Sequence, residues 1–82
     1  MKGVIKAVIK KDAERGRNGG YFFIIGEDTV ERFAHASNLQ APATFPGTST
    51  SRPSDIHEGQ AVEFEPIEIP GKGLRADRVQ VL

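Results

Sequence analysis

Gly19-Gly20-Tyr21-Phe22-Phe23-Ile24-Ile25 is the stretch on which the reading of this chain turns. It holds three of the six aromatic residues and is closed by Gly26. A short aromatic and apolar run bounded by glycines reads as one strand, Tyr21–Ile25. Side chains alternate across a strand, so Tyr21, Phe23 and Ile25 point one way and Phe22 and Ile24 the other. One set fills a core, and the other needs a cover or a ligand. In Glu31-Arg32-Phe33-Ala34-His35, Phe33 and His35 also share a face. If the two strands pair, Tyr21, Phe23, Phe33 and His35 form one platform of rings. Such a platform on a sheet suits the flat faces of unpaired nucleobases.

The rest of the chain is small enough to serve that one sheet. Its 82 residues make a single domain, and the apolar fraction of 38% supports a modest core. With no cysteine there is neither a disulfide framework nor a thiolate metal site. The start, Met1 to Lys6, lacks the long apolar run of a signal peptide, and no stretch approaches a membrane span. The expectation is a cytoplasmic, monomeric protein that does not engage a membrane.

Net charge is zero, which argues against a generic basic nucleic-acid binder. The charges are unevenly placed, however. Residues 1–17 carry six Lys/Arg against two acids, residues 18–70 carry two against eight, and residues 71–82 carry three against one. A neutral chain can therefore present a basic patch if its two ends meet in the fold.

Outward from the central run, Gly3–Lys10 reads as a first strand, with Val4 and Val8 on the face of Lys2, Lys6 and Lys10. Residues 11–20 form a polar, glycine-bearing connection. Gly26–Thr29 is a tight turn, and the third strand is Val30–His35. Alternation puts Arg32 on the core face beside Ala34, with its head expected to reach water at the strand end. Ala36–Leu39 suits one helical turn. Residues 41–54 are dense in Pro, Ser, Thr and Gly and predict a flexible loop, with Phe45 as either an anchor or an extra stacking ring. The fourth strand begins at Gln60, with Val62 and Phe64 inward. Pro66 marks an edge or a bulge, beyond which the phase shifts to put Ile67 and Ile69 inward. After the turn Pro70–Gly73, Leu74–Leu82 is the fifth strand, with Val79 and Val81 on one face. Five short strands without a convincing helix predict an all-β, five-stranded antiparallel barrel of the oligonucleotide/oligosaccharide-binding (OB) type, with a long loop between strands three and four.

The sequence resembles the cold-shock domain over nearly its whole length. Gly3-Val4-Ile5-Lys6 fits the family's opening strand, and Gly19-Gly20-Tyr21-Phe22-Phe23-Ile24 sits in place of its first ribonucleoprotein motif. Arg32-Phe33-Ala34-His35-Ala36-Ser37 occupies the second motif, and Glu58-Gly59-Gln60-Ala61-Val62-Glu63-Phe64 matches a Glu-Gly-Gln-x-Val-x-Phe signature in full. The resemblance implies a cofactor-free barrel that binds single-stranded RNA or DNA as an RNA chaperone or regulator of gene expression. It places Tyr21, Phe23, Phe33 and His35 in the base-stacking set, with Lys6 beside them. It also puts Arg15 and Arg17 of the first connection, and Lys72 and Arg75 at the fourth turn, around that face. The family's tryptophan is Ala7 here, the aromatic after its histidine is Ala36, and the lysine opening its first motif is Gly19. Phe22 replaces a family glycine and is read as filling space left by Ala34.

Catalytic readings find little support. Ser54, Asp55 and His57 are too close in sequence to converge as a triad, and His57 reads as surface. Gly71-Lys72-Gly73 precedes a strand and is too short for a phosphate loop. Two histidines and scattered acids give no metal spacing. Two alternatives to nucleic-acid binding stand beside it. One is a barrel that contacts a protein partner, consistent with the missing rings and the acidic middle. The other is a sugar-binding barrel, which needs the rings but not the cations.

Overall fold

The computed structural model describes residues 1–10, 20–47 and 51–82. These residues form β1 (Lys2–Ile9), β2 (Tyr21–Gly26), β3 (Glu31–His35), β4 (Ala61–Ile69) and β5 (Gly73–Val81). The strands make one closed sheet in the order β1-β2-β3-β5-β4. The expected all-antiparallel pairing holds at every seam but one, because β3 and β5 run parallel. Strands alternate in direction around this ring. With an odd number of them, closure must bring two like-directed strands together.

That seam is thin. Its pairing is Phe33 with Arg75, continued beyond β3 by a bridge between Leu39 and Val79. A 3-10 turn at Ala36–Asn38, where a helical turn was expected, leads the chain across. Asn38 Nδ2 donates to Asp77 Oδ1 at 3.0 Å, and the Gln40 N–H donates to the Val79 carbonyl at 2.8 Å.

The core lies inside the closed sheet and comprises Ile5, Phe22, Ile24, Ala34, Ile56, Val62, Phe64, Ala76 and Val79. Phe22 and Ala34 are direct cross-strand partners, so the large ring occupies the room left by the small residue as the sequence predicted. Two bulges change other inward–outward assignments. In β1, Ile5 pairs with Ile24 but Ala7 pairs with Phe23, which makes Lys6 the extra residue. Val8 therefore turns inward against the core instead of joining Val4 and the lysines. In β5, Glu63–Gln80 is followed by Glu65–Asp77, which leaves Arg78 as the bulged residue, with φ of 47°.

Burial does shift at Pro66, as expected: Ile67 and Ile69 are half-buried while Pro66 and Glu68 are exposed. The register nevertheless runs on without a break, pairing Ile67 with Arg75 and Ile69 with Gly73, so both isoleucines stay on the outer parity and outside the core cluster. Pro66 sits where β1 no longer pairs with β4, since that pairing ends at Glu63. A residue without a donor is tolerated at such an edge.

Arg32 does point inward, but its head does not reach bulk water. It is 8% exposed, and its guanidinium binds both carboxylate oxygens of Asp28 at 3.0 and 2.7 Å. The same Asp28 accepts from the Val30 N–H at 3.1 Å, stabilising the turn in which Thr29 adopts φ of 64°. One carboxylate thus shapes the β2–β3 turn and neutralises a buried cation. The Arg32 guanidinium holds the Asp28 carboxyl below the usual carboxylate range.

The long connection from β3 to β4 acts as a cover for the core. Phe45 is an anchor: its ring lies 6.3 Å from that of Phe22 and packs against the core. Only glycine fits beneath it, because a Cβ at Gly20 would come within 2.2 Å of the Phe45 ring. Thr44 ties the arms of this connection together, with its N–H on the Ser54 carbonyl and its carbonyl accepting from Ile56, both at 2.9 Å. Thr44 Oγ1 donates to Asp55 at 2.6 Å, and that bond, with the Arg52 N–H, holds the Asp55 carboxyl below its ordinary range.

Candidate functional site

The registers of the closed sheet set a continuous row of outward side chains across all five strands. Ala7 of β1 pairs with Phe23 of β2, Phe23 with Phe33 of β3, Phe33 with Arg75 of β5, and Arg75 with Ile67 of β4. A second outer row, Ile9–Tyr21–His35, lies beside it. The four residues of the proposed stacking set therefore share one face, as alternation predicted, and all are half-buried. Half-burial leaves part of each ring free while its neighbours hold it in place.

The rings support one another. Tyr21 and Phe33 are stacked with centroids 5.2 Å apart and planes 27° from parallel. Phe23 meets both edge-on, at 5.8 Å from Tyr21 and 5.9 Å from Phe33. Such pairs contribute roughly 0.5–1.5 kcal/mol beyond the area they bury, and here they set the ring orientations without a ligand. On the opposite flank of Phe33, across the parallel seam, the Arg75 guanidinium carbon lies 4.4 Å from the ring centroid.

His35 is positioned by the turn that follows it. Its backbone N–H donates to Asn38 Oδ1 at 2.9 Å, and its Nδ1 accepts from the Ser37 N–H at 3.1 Å. An Nδ1 that accepts a backbone proton leaves the neutral ring protonated on Nε2. The residue thus offers both a ring face and an N–H donor.

Lys6 stands beside the ring rows because the β1 bulge puts it there, and its ammonium is paired with Glu31. Both partners are well exposed, so this ion pair holds the lysine only weakly. Lys72 lies at the exposed β4–β5 turn, beyond the Ile69–Gly73 pair, and does not join the row. Arg15 and Arg17, with Gly19, lie outside the described residues. Sequence reasoning missed Ile67, which borders Arg75 on the outer face. Carrying the parity of Val62 and Phe64 straight through Pro66 would have placed it there.

Two concavities flank this face without coinciding with it. One, about 340 Å³, is an apolar groove along Gly3, Val4, Ile25 and Gly26 at the far end of the β1–β2 ribbon. The larger, about 560 Å³, opens on β4 and β5 and is lined by Glu63, Glu65, Gln80 and Arg78. Its carboxylates would repel a phosphate. None of Tyr21, Phe23, Phe33 and His35 lines either hollow. Among the described residues no group of His, Asp and Glu is arranged to hold a metal ion, and no helix is long and apolar enough to cross a membrane.

No protein-family model matches the chain, and a search of curated proteins returns no significant match.

Proposed function

We propose that this protein is a cold-shock-like barrel of the OB type that binds single-stranded RNA or DNA, stacking bases on Tyr21, Phe23, Phe33 and His35. It acts as a binding protein and not as an enzyme, in the manner of an RNA chaperone or a regulator of gene expression. The observation that carries this reading is the set of mutually braced rings on the outer face of β2 and β3, beside Arg75 and Lys6. Each base stacked on an aromatic side chain contributes roughly 1–3 kcal/mol, largely regardless of its identity. Lys6 and Lys72, with Arg15 and Arg17 from the first connection, supply phosphate contacts whose strength falls as salt rises, while Arg75 borders the rings. The smaller residues Ala7 and Ala36 remove two stacking positions, which sets affinity below that of a fully aromatic face.

One observation favours a second reading, a barrel that docks a protein. The outer face continues past the rings into the apolar groove at Val4 and Ile25, and Val4 is 45% exposed.

Tyr21 is the only tyrosine and there is no tryptophan, so its emission reports directly on the site. Titration with a short pyrimidine oligonucleotide is expected to quench Tyr21 saturably at low salt and more weakly at physiological salt. Absence of quenching at both, together with no mobility shift, would overturn the nucleic-acid reading and favour the protein-docking one.

A further inference from the structure

Two arginines in this fold lie over phenylalanine rings, and they differ in what their donors meet. The Arg32 guanidinium is 5.6 Å from the Phe64 centroid, and that of Arg75 is 4.4 Å from the Phe33 centroid. In both, Nε is buried without a hydrogen-bond partner. Arg32 nevertheless has its acceptor, since its two terminal nitrogens bind the Asp28 carboxylate. Among the described residues, Arg75 has no such acceptor: its side chain makes no hydrogen bond and no ion pair. Arg32 is a completed internal contact, whereas Arg75 is a planar fork of donors, held against a ring with its acceptors missing.

Its position limits what could supply them. Arg75 is not at the rim of the outer face but within the cross-sheet row, between Phe33 and Ile67. Apolar neighbours on both sides disfavour a strongly hydrated phosphate there and favour a base edge. A guanidinium has only donors, so it needs adjacent acceptors on one edge. Guanine offers that pair in O6 and N7, and adenine, thymine and uracil do not. Cytosine offers acceptors at O2 and N3, but guanine combines its pair with the larger purine face for the Tyr21 and Phe33 rings.

We infer that Arg75 is a specificity-determining residue, reading the O6/N7 edge of a guanine stacked on the Tyr21–Phe33 rings. The inference rests on the nucleic-acid reading given above and adds to it a base preference at one position. Phe33 braces the guanidinium, and guanine completes the hydrogen bonding that Asp28 supplies for Arg32.

The test compares Tyr21 quenching by a seven-nucleotide oligothymidine with quenching by the same oligomer bearing one central guanine, cytosine or 7-deazaguanine. A good bidentate arginine–guanine contact discriminates by roughly 1–3 kcal/mol, so the guanine oligomer should bind about tenfold tighter than oligothymidine. 7-Deazaguanine keeps the stacking face but lacks N7, and should lose most of that gain without any change to the protein. Arg75→Lys keeps the cation but not the planar fork, and should abolish the guanine preference, so that the ratio of guanine to thymine affinity falls to about one. Equal affinity for guanine and thymine, tighter binding of cytosine, or a 7-deazaguanine oligomer as tight as the guanine one would overturn the assignment alone. No binding of any oligomer would overturn the nucleic-acid reading, and this inference with it.

Discussion

The inner and outer faces of the β2–β3 ribbon are built from similar parts set in different surroundings. Inside are Phe22, Ile24 and Ala34, with a cation, Arg32, bound to a carboxylate. Outside are Tyr21, Phe23, Phe33 and His35, with a cation, Lys6, bound to another carboxylate. What separates them is cover. The inner face is sealed by β1, β4, β5 and the long connection, whose Phe45 closes over Phe22. Nothing among the described residues lies across the outer rings except Arg75 at one flank. Residue type alone thus does not separate core from site, and topology does.

The sharpest way to break that comparison is to delete one ring from each side. Phe22→Ala should cost about 3–5 kcal/mol, because it removes a fully buried ring and leaves a cavity beneath Phe45. For a small domain that approaches the entire stability. Phe23→Ala, one residue along, should cost about 1–3 kcal/mol in stability, since it removes two ring pairs but no fully buried side chain, and should weaken oligonucleotide binding by roughly 1–3 kcal/mol. Urea unfolding measures the first effect and Tyr21 quenching the second. Equal destabilisation by the two substitutions would mean that the outer rings serve the fold and not a ligand.

The ion pairs extend the contrast to pH. Asp28 has its carboxyl held below the ordinary range by Arg32 in the folded protein. A group whose pKa is depressed on folding adds stability above its unfolded pKa, and that stability is lost as pH falls through the folded value. Asp55, lowered by Thr44 and the Arg52 N–H, acts with the same sign. Acidification from neutrality to below about pH 4 should therefore lower the melting temperature. Asp28→Asn should melt lower than the parent at neutral pH, because it leaves Arg32 buried without a counter-charge, and the gap should narrow as the parent's own carboxylate protonates. A gap independent of pH would show that Asp28 acts through turn shape and not through its charge.

How much of this was legible in the sequence follows from the same division. The alternation of β2 and β3 is local, so Tyr21, Phe23, Phe33 and His35 could be assigned to one face and the Phe22–Ala34 fit anticipated. The errors come where closure of the sheet overrides local pattern. The bulge at Lys6 turns Val8 inward, and the one at Arg78 sits in β5, not in β4 where Pro66 drew attention. Nothing in a strand's own pattern marks a bulge that exists to bring distant strands into register. Consequently Ile67, assigned to the core, lies in the outer row. The partner of Arg32 was only four residues away, but it sits in a turn whose shape depends on the Asp28 side chain itself. Phe45 could be resolved as an anchor only once Gly20 was known to lie beneath it.

The smallest expected effect sharpens the comparison at its weakest contact, the exposed pair Lys6–Glu31. Exposed ion pairs contribute roughly 0–1 kcal/mol to stability, so Glu31→Gln should shift unfolding by no more than about 0.5 kcal/mol. Its effect on binding should have the opposite sign. Glu31 lies on the outer face beside Ile25 and holds the lysine that stands next to the rings. Removing its charge frees Lys6 for a phosphate and removes a repulsion from the same site. Affinity for a pyrimidine oligonucleotide should rise about two- to fivefold at low salt, and the gain should shrink at physiological salt, where the shorter Debye length screens exposed charges. The dependence on salt should also steepen, because one more cation displaces counterions. Unchanged affinity and an unchanged salt slope would remove Lys6 from the interface and leave binding to the rings and Arg75. A rise in affinity with no change in slope would instead mean that Glu31 acts by repulsion alone.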